Sequence, residues 1–123
     1  MPVIETLNRN IELQIAQIQD FCQRWHITEF ALFGSVLRDD FRPDSDIDIL
    51  VRFSPSFRRG LEETLQMRQE LQTLFNRKVD LIEKTAIERS ENWLRRKNIL
   101  ESAQAIYSDS QIDAIGSQID EVR

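Results

Sequence analysis

Apolar residues recur along this chain in two periods. From about residue 4 to 25, Ile4, Leu7, Ile11, Ile15, Ile18, Phe21 or Cys22, and Trp25 follow at spacings of three and four. That is the stripe of one amphipathic helix. Asn8, Arg9, Gln14, Gln17 and Gln23 fill much of its other side, so the helix is expected to pack on a sheet. The period then shortens. Glu29 to Phe33 reads as a first strand, and Gly34-Ser35 turns it into a short helix from about Val36 to Asp40. Phe41-Arg42-Pro43-Asp44-Ser45 is a loop, because proline drives its predecessor toward extended geometry. A second strand runs from about Asp46 to Phe53, with Ile47, Ile49 and Val51 pointing inward.

Ser54 to Gly60 breaks that strand. A helix from about Leu61 to Asn76 follows, with Leu61, Leu65, Leu71, Leu74 and Phe75 on its buried side, and Val79-Asp80-Leu81-Ile82 is a third strand. From about Ile87 to Tyr107 the pattern is helical again, with Trp93, Leu94, Leu100, Ala103 and Tyr107 facing the core. Helices alternating with strands predict an α/β fold, a small mixed β-sheet packed by helices. Residues 1–107 are expected to form one domain that includes the N-terminal helix. In the tail, 108–123, Ile112, Ile115, Ile119 and Val122 keep helical spacing, but Gly116 costs about 1 kcal/mol of helix stability. The tail is expected to be frayed or docked on its own core, ahead of binding a partner.

Composition narrows the picture. A chain of 123 residues sustains one modest core. The hydrophobic fraction, 41%, is ordinary, and the net charge of −5 argues against a nucleic-acid-binding surface. Cys22 is the only cysteine, so no intrachain disulfide forms, and its place on the helical stripe marks a buried small hydrophobe. His26 is the only histidine; with no further His or Cys ligands a zinc site is excluded, and we read it as structural. No long apolar span, signal peptide or lipidation motif occurs, which predicts a cytoplasmic protein away from membranes.

The chemistry concentrates in residues 30–52. Alternate residues share a strand face, so Asp46 and Asp48 project the same way from Cα atoms roughly 6–7 Å apart. Two like charges so placed call for a proton on one of them or a cation between them. Mg²⁺ suits such a pair, since it takes one or two carboxylates and leaves positions for water and substrate phosphate. The Gly34-Ser35 corner allows a tight turn, and free N–H groups at a following helix would cradle an anion. Metal site and anion cradle on adjacent strand ends point to phosphoryl or nucleotidyl transfer. Ser35 as a plain helix cap is compatible with that reading. Arg38 lies one helical turn beyond Ser35, placed either to steady a phosphate or to pair with Asp39 or Asp40. Asp44 and Ser45 are expected to shape the loop. Arg52, Arg58, Arg59 and Lys84 lie where they would line a cleft mouth or simply be solvated.

Gly34-Ser35, ten intervening residues, and Asp46-x-Asp48 together resemble the signature of the DNA polymerase β-type nucleotidyltransferases. The resemblance is closest to the minimal nucleotidyltransferases (MNT proteins), antitoxins that stand beside HEPN ribonuclease toxins. It extends through Arg38, Pro43, Ser45 and Val51, and more loosely to Val79–Ile82 and residues 94–107. It implies a polymerase β-like fold and transfer of AMP from ATP, with two Mg²⁺ ions, to a tyrosine hydroxyl of a partner HEPN toxin in a hetero-oligomer. It also implies a third carboxylate on the neighbouring strand, for which Asp80 is the match. In this scheme Asp46, Asp48 and Asp80 are the catalytic, metal-holding acids, and Gly34, Ser35 and Arg38 bind the nucleotide. Two rivals are an antitoxin that works by binding alone and a nucleotidyltransferase with a small antibiotic or sugar acceptor. Against the first, a pure binder has no reason to hold like charges together.

Overall fold

The computed structural model of the protein describes residues 3–109. Helices α1 (Val3–Asn10) and α2 (Ile15–Arg24) lead into strand β1 (Ile27–Phe33), a 3-10 turn (Gly34–Leu37) and β2 (Ile47–Phe53). Then come α3 (Leu61–Phe75), β3 (Val79–Glu83), α4 (Lys84–Glu88), α5 (Trp93–Ser102) and β4 (Gln104–Ser108). The four strands form one mixed sheet in the order β3-β2-β1-β4. β1 runs antiparallel to both of its neighbours, whereas β2 and β3, joined through α3, are parallel. This is the expected α/β architecture, a small mixed sheet packed by helices.

Strand alternation divides the apolar residues between two layers. Phe30, Leu32, Ile47, Ile49, Val51 and Val79 bury one sheet face against Leu7, Ile18, Phe21, Cys22, Met67 and Leu71 of the first three helices. Phe33 and Leu50, on the other face, meet Ile87 of α4 and Ile99 of α5 in a smaller cluster. Asp48 and Asp80 belong to this second face by the same alternation, at the end of the sheet where β1 stops. Cys22 is fully buried, and burial pushes its thiol pKa up to about 12, so it packs as a hydrophobe. His26 is exposed, has a positive φ of 56°, and stacks on Phe57 with ring centres 4.8 Å apart. Among the described residues no helix is long and apolar enough to cross a membrane.

Several local expectations are corrected. The helix predicted over 4–25 is two helices, because the chain turns at Ile11–Gln14. Asn10 ends α1, and its side-chain amide donates to the carbonyls of Val36 (2.7 Å) and Arg38 (2.8 Å), so α1 anchors on the 3-10 turn while α2 lies on β1. The helix predicted to reach Tyr107 stops at Ser102. Ala103 is extended (φ −61°, ψ 134°), and residues 104–108 pair with β1, whose edge would otherwise be open. A four-residue spacing from Ala103 to Tyr107 mimicked helical period across that boundary. Ser108 thus closes β4 and Asp109 N–H donates to Thr28 O (2.7 Å); the tail expectation otherwise falls on residues 110–123, outside the described residues. Leu61, Leu65, Trp93 and Leu94, expected in the core, are exposed, as is Ile15. In α3 the buried stripe is Met67 and Leu71 with Leu74 and Phe75 beside them, so the first turn stands clear of the sheet.

Candidate active site

β1 ends at Phe33 and the chain reverses through Gly34, whose φ of +77° lies in the region that favours glycine. There is a second reason for glycine here. A Cβ on residue 34 would lie 2.2 Å from Asp48 Oδ2 and 3.2 Å from its carboxyl carbon. The Asp48 carboxylate therefore rests directly on the turn, in the space a side chain at residue 34 would fill. The register explains this seat, since Phe33 pairs with Asp48 across β1–β2 and Asp48 with Asp80 across β2–β3. Ser35 follows in the turn, its carbonyl accepting from Arg38 N–H (2.9 Å).

Asp46 lies just outside β2, at the end of the loop that precedes it. Arg77 holds that loop: its Nη1 donates to the carbonyls of Arg42 (2.8 Å), Pro43 (3.1 Å) and Ser45 (3.1 Å), and its guanidinium stacks on the Phe41 ring at 4.3 Å. Ser45 Oγ accepts from Arg42 N–H (3.0 Å), which is the loop-shaping role expected of it. Nothing in the sequence flagged Asn10 or Arg77. Both act on backbone carbonyls far along the chain, and such bonds leave no local pattern.

The three acids share a field. The Asp48 pKa is raised, first by burial and then by the charges of Asp80 and Asp46, with Arg38 pulling the other way. Asp46 and Asp80 are exposed. Arg38 itself pairs with Asp40 (3.1 Å), one of the two arrangements the sequence left open. Among the described residues no three His, Cys, Asp or Glu side chains converge closely enough to cage a metal ion. The oxygen-only donors, the strained charge on Asp48 and the cradle at Gly34 nevertheless suit a hard divalent cation whose remaining ligands are water and substrate. Arg52, Arg59 and Lys84 do not line the cleft. Arg52 pairs with Glu29 and Glu88, Lys84 with Glu29, and Arg59 with Glu83.

Two hollows flank this centre. One, of about 460 Å³, has Asp48 and Asp80 at its wall together with Asn92, Leu94, Arg95 and Asn98 of the α5 segment. The other, about 530 Å³, lies on the Gly34–Arg38 side and is closed by Asn98, Ser102 and Gln104. Phe33, Asn98 and Ile99 separate them and line both. Reading α5 as a core helix concealed its polar contribution. A larger hollow, about 750 Å³, lies between α2 and α3, remote from the acids. Its charged residues, Asp20, Arg24 and Glu70, are already paired with one another.

A model of the nucleotidyltransferase domain matches residues 15–106. The protein adenylyltransferase MntA of Thermococcus cleftensis is 31% identical over 84 residues, 67% of this chain and 81% of that protein. Across the curated relatives it matches, the chain spans from 64% to 95% of their length. Among solved structures, a toxin–antitoxin crystallised with AMP-PNP matches with a TM-score of 0.60 at 19% identity, over 84% of this chain and 80% of that one. A complex of tri-AMPylated Shewanella oneidensis HEPN toxin with MNT antitoxin matches with a TM-score of 0.52 at 18% identity, over 82% and 75%. These two likenesses are of fold.

Proposed function

Because the chain belongs to the nucleotidyltransferase domain family, we propose that it is an antitoxin that transfers AMP from ATP to a tyrosine hydroxyl of a HEPN ribonuclease toxin. It does so in a cytoplasmic hetero-oligomer. The observation that carries this reading is the seat of Asp48 on the Gly34 turn, with Asp46 and Asp80 close enough to raise its pKa. A site that only binds a partner gains nothing from crowding three acids.

The residues divide the work. The Gly34-Ser35 turn, with its N–H groups and the Ser35 hydroxyl, receives the β- and γ-phosphates, and Arg38 lies beside it. Asp46 and Asp48, with Asp80, would hold Mg²⁺, as two ions, which when bound would neutralise the triphosphate and lower the acceptor's pKa. The acceptor oxygen attacks the α-phosphorus in line; the P–O bond to pyrophosphate breaks, and the hydroxyl proton passes to the Asp80 carboxylate. In this reading the catalytic unit takes in the whole of β4, through Ser108 and Asp109, rather than ending at 107.

The test is intact-mass analysis of a HEPN toxin from the chain's own genome, incubated with ATP, Mg²⁺ and a trace of this protein. Substoichiometric protein should convert the toxin to a species heavier by adenylyl units, and Asp46→Asn or Asp48→Asn should abolish the conversion. Neutralisation of the toxin that needs equimolar protein and survives both substitutions would refute it.

A further inference from the structure

Trp93 and Leu94 stand 62% and 53% exposed at the start of α5, although both are large and apolar. Their position is not neutral. Leu94 lines the hollow that holds Asp48 and Asp80, next to Asn92 and Arg95, and Trp93 occupies the adjoining outward position. The side chain of Asn92 caps the helix by accepting from Arg95 N–H (3.1 Å), so the pair is presented from a fixed first turn. Exposed apolar surface contiguous with a reaction cleft marks an interaction area. The early part of α5 itself is basic, beside the acids Asp48 and Asp80 across the hollow and Glu91 just before the helix. α5 carries Arg95, Arg96 and Lys97 against Glu101 alone, in a chain of net charge −5. Arg96 is held by the Ser90 carbonyl (2.7 Å), while among the described residues Arg95 and Lys97 make no ion pair.

We infer that the first turns of α5 are the docking surface for the acceptor protein, which meets Trp93 and Leu94 with an apolar patch and Arg95 and Lys97 with carboxylates. The inference rests on the protein-acceptor reading above and adds where that acceptor sits. Aromatic residues and arginine are the side chains that most often anchor interfaces. A polycationic small acceptor would meet Arg95 at the mouth of the hollow and leave Trp93 uncovered.

The test separates docking from chemistry. Affinity for the HEPN toxin is measured by calorimetry without nucleotide, and Mg²⁺-ATP binding is measured separately. Trp93→Ala should weaken toxin binding at least tenfold and leave Mg²⁺-ATP affinity within twofold. Arg95→Glu should weaken toxin binding similarly and flatten its salt dependence. In transfer assays both should raise the KM for toxin, with kcat for Trp93→Ala within twofold of the parent. Toxin binding unchanged in both variants would overturn the inference. So would an Arg95→Glu defect confined to the KM for ATP, or a Trp93→Ala effect limited to self-association. A parent protein that binds toxin through Trp93 but never alters its mass would refute the transfer reading and leave docking standing.

Discussion

At the scale of single residues, Asp48 sets function against stability. Its folded-state pKa is raised above the ordinary value of 3.8, so the folded protein holds the proton more tightly than the unfolded chain. The carboxyl therefore costs stability at neutral pH, and that cost disappears as pH falls through the raised pKa toward the unfolded value. Asp48→Asn keeps the shape and removes the charge. It should raise the melting temperature at pH 7, lose that advantage near pH 4, and abolish transfer. Added Mg²⁺-ATP should stabilise the parent more than the variant, because only the parent gains relief of repulsion. Thermal melts at the two pH values, with and without Mg²⁺-ATP, check all of this. The adjacency of Gly34 and Asp48 was legible in the sequence as neighbouring strand ends, whereas Asp80 entered only through the family resemblance; the register pairs Phe33 with Asp48 and Asp48 with Asp80. The resting of the carboxylate on Gly34 itself was not legible, since a glycine in sequence does not say whose atom occupies the missing side chain's place.

At the scale of elements, the sequence was most readable where one period ran unbroken and the partner was local. β1, β2, β3 and α3 follow from pattern, whereas the break at Ile11–Gln14 and the change from α5 to β4 do not. Each of those is decided by a distant partner, the 3-10 turn for α1 and the open edge of β1 for β4. The same logic makes the loop before β2 dependent on β3's flank. Arg77 gathers three of the loop's carbonyls and stacks on Phe41, so it fixes where the loop delivers Asp46. Arg77→Ala should cost about 1–3 kcal/mol of stability from the lost charge-assisted bonds. It should lower transfer at least tenfold with little change in toxin affinity, while Arg77→Lys, which cannot stack or fork alike, recovers only part. Denaturant unfolding alongside initial rates distinguishes this from simple unfolding.

At the scale of the whole molecule, the sheet's two faces carry different duties. The larger apolar layer, under α1–α3, includes Met67 and Leu71, and its members Val36, Ile47 and Ile49 back the Gly34 turn and β2 from the face opposite Asp48. The smaller layer, Phe33, Leu50, Ile87 and Ile99, is also the floor and wall of both hollows, through Phe33 and Ile99. Truncating a buried Met or Ile to Ala costs about 2–5 kcal/mol in either layer, so stability alone will not tell them apart. Activity will. Met67→Ala should lower the melting temperature yet keep kcat within about twofold below the transition, because β2 and the Gly34 turn are still seated by Ile47, Ile49 and Val36. Ile99→Ala lets α5 shift over the acids and moves Asn98, which borders both hollows. Misplacement of about 1 Å at a reacting centre is enough for a loss on the order of a hundredfold. Equal rates for the two variants, measured well below both melting temperatures, would mean that α5 is a lid of convenience rather than a wall of the site.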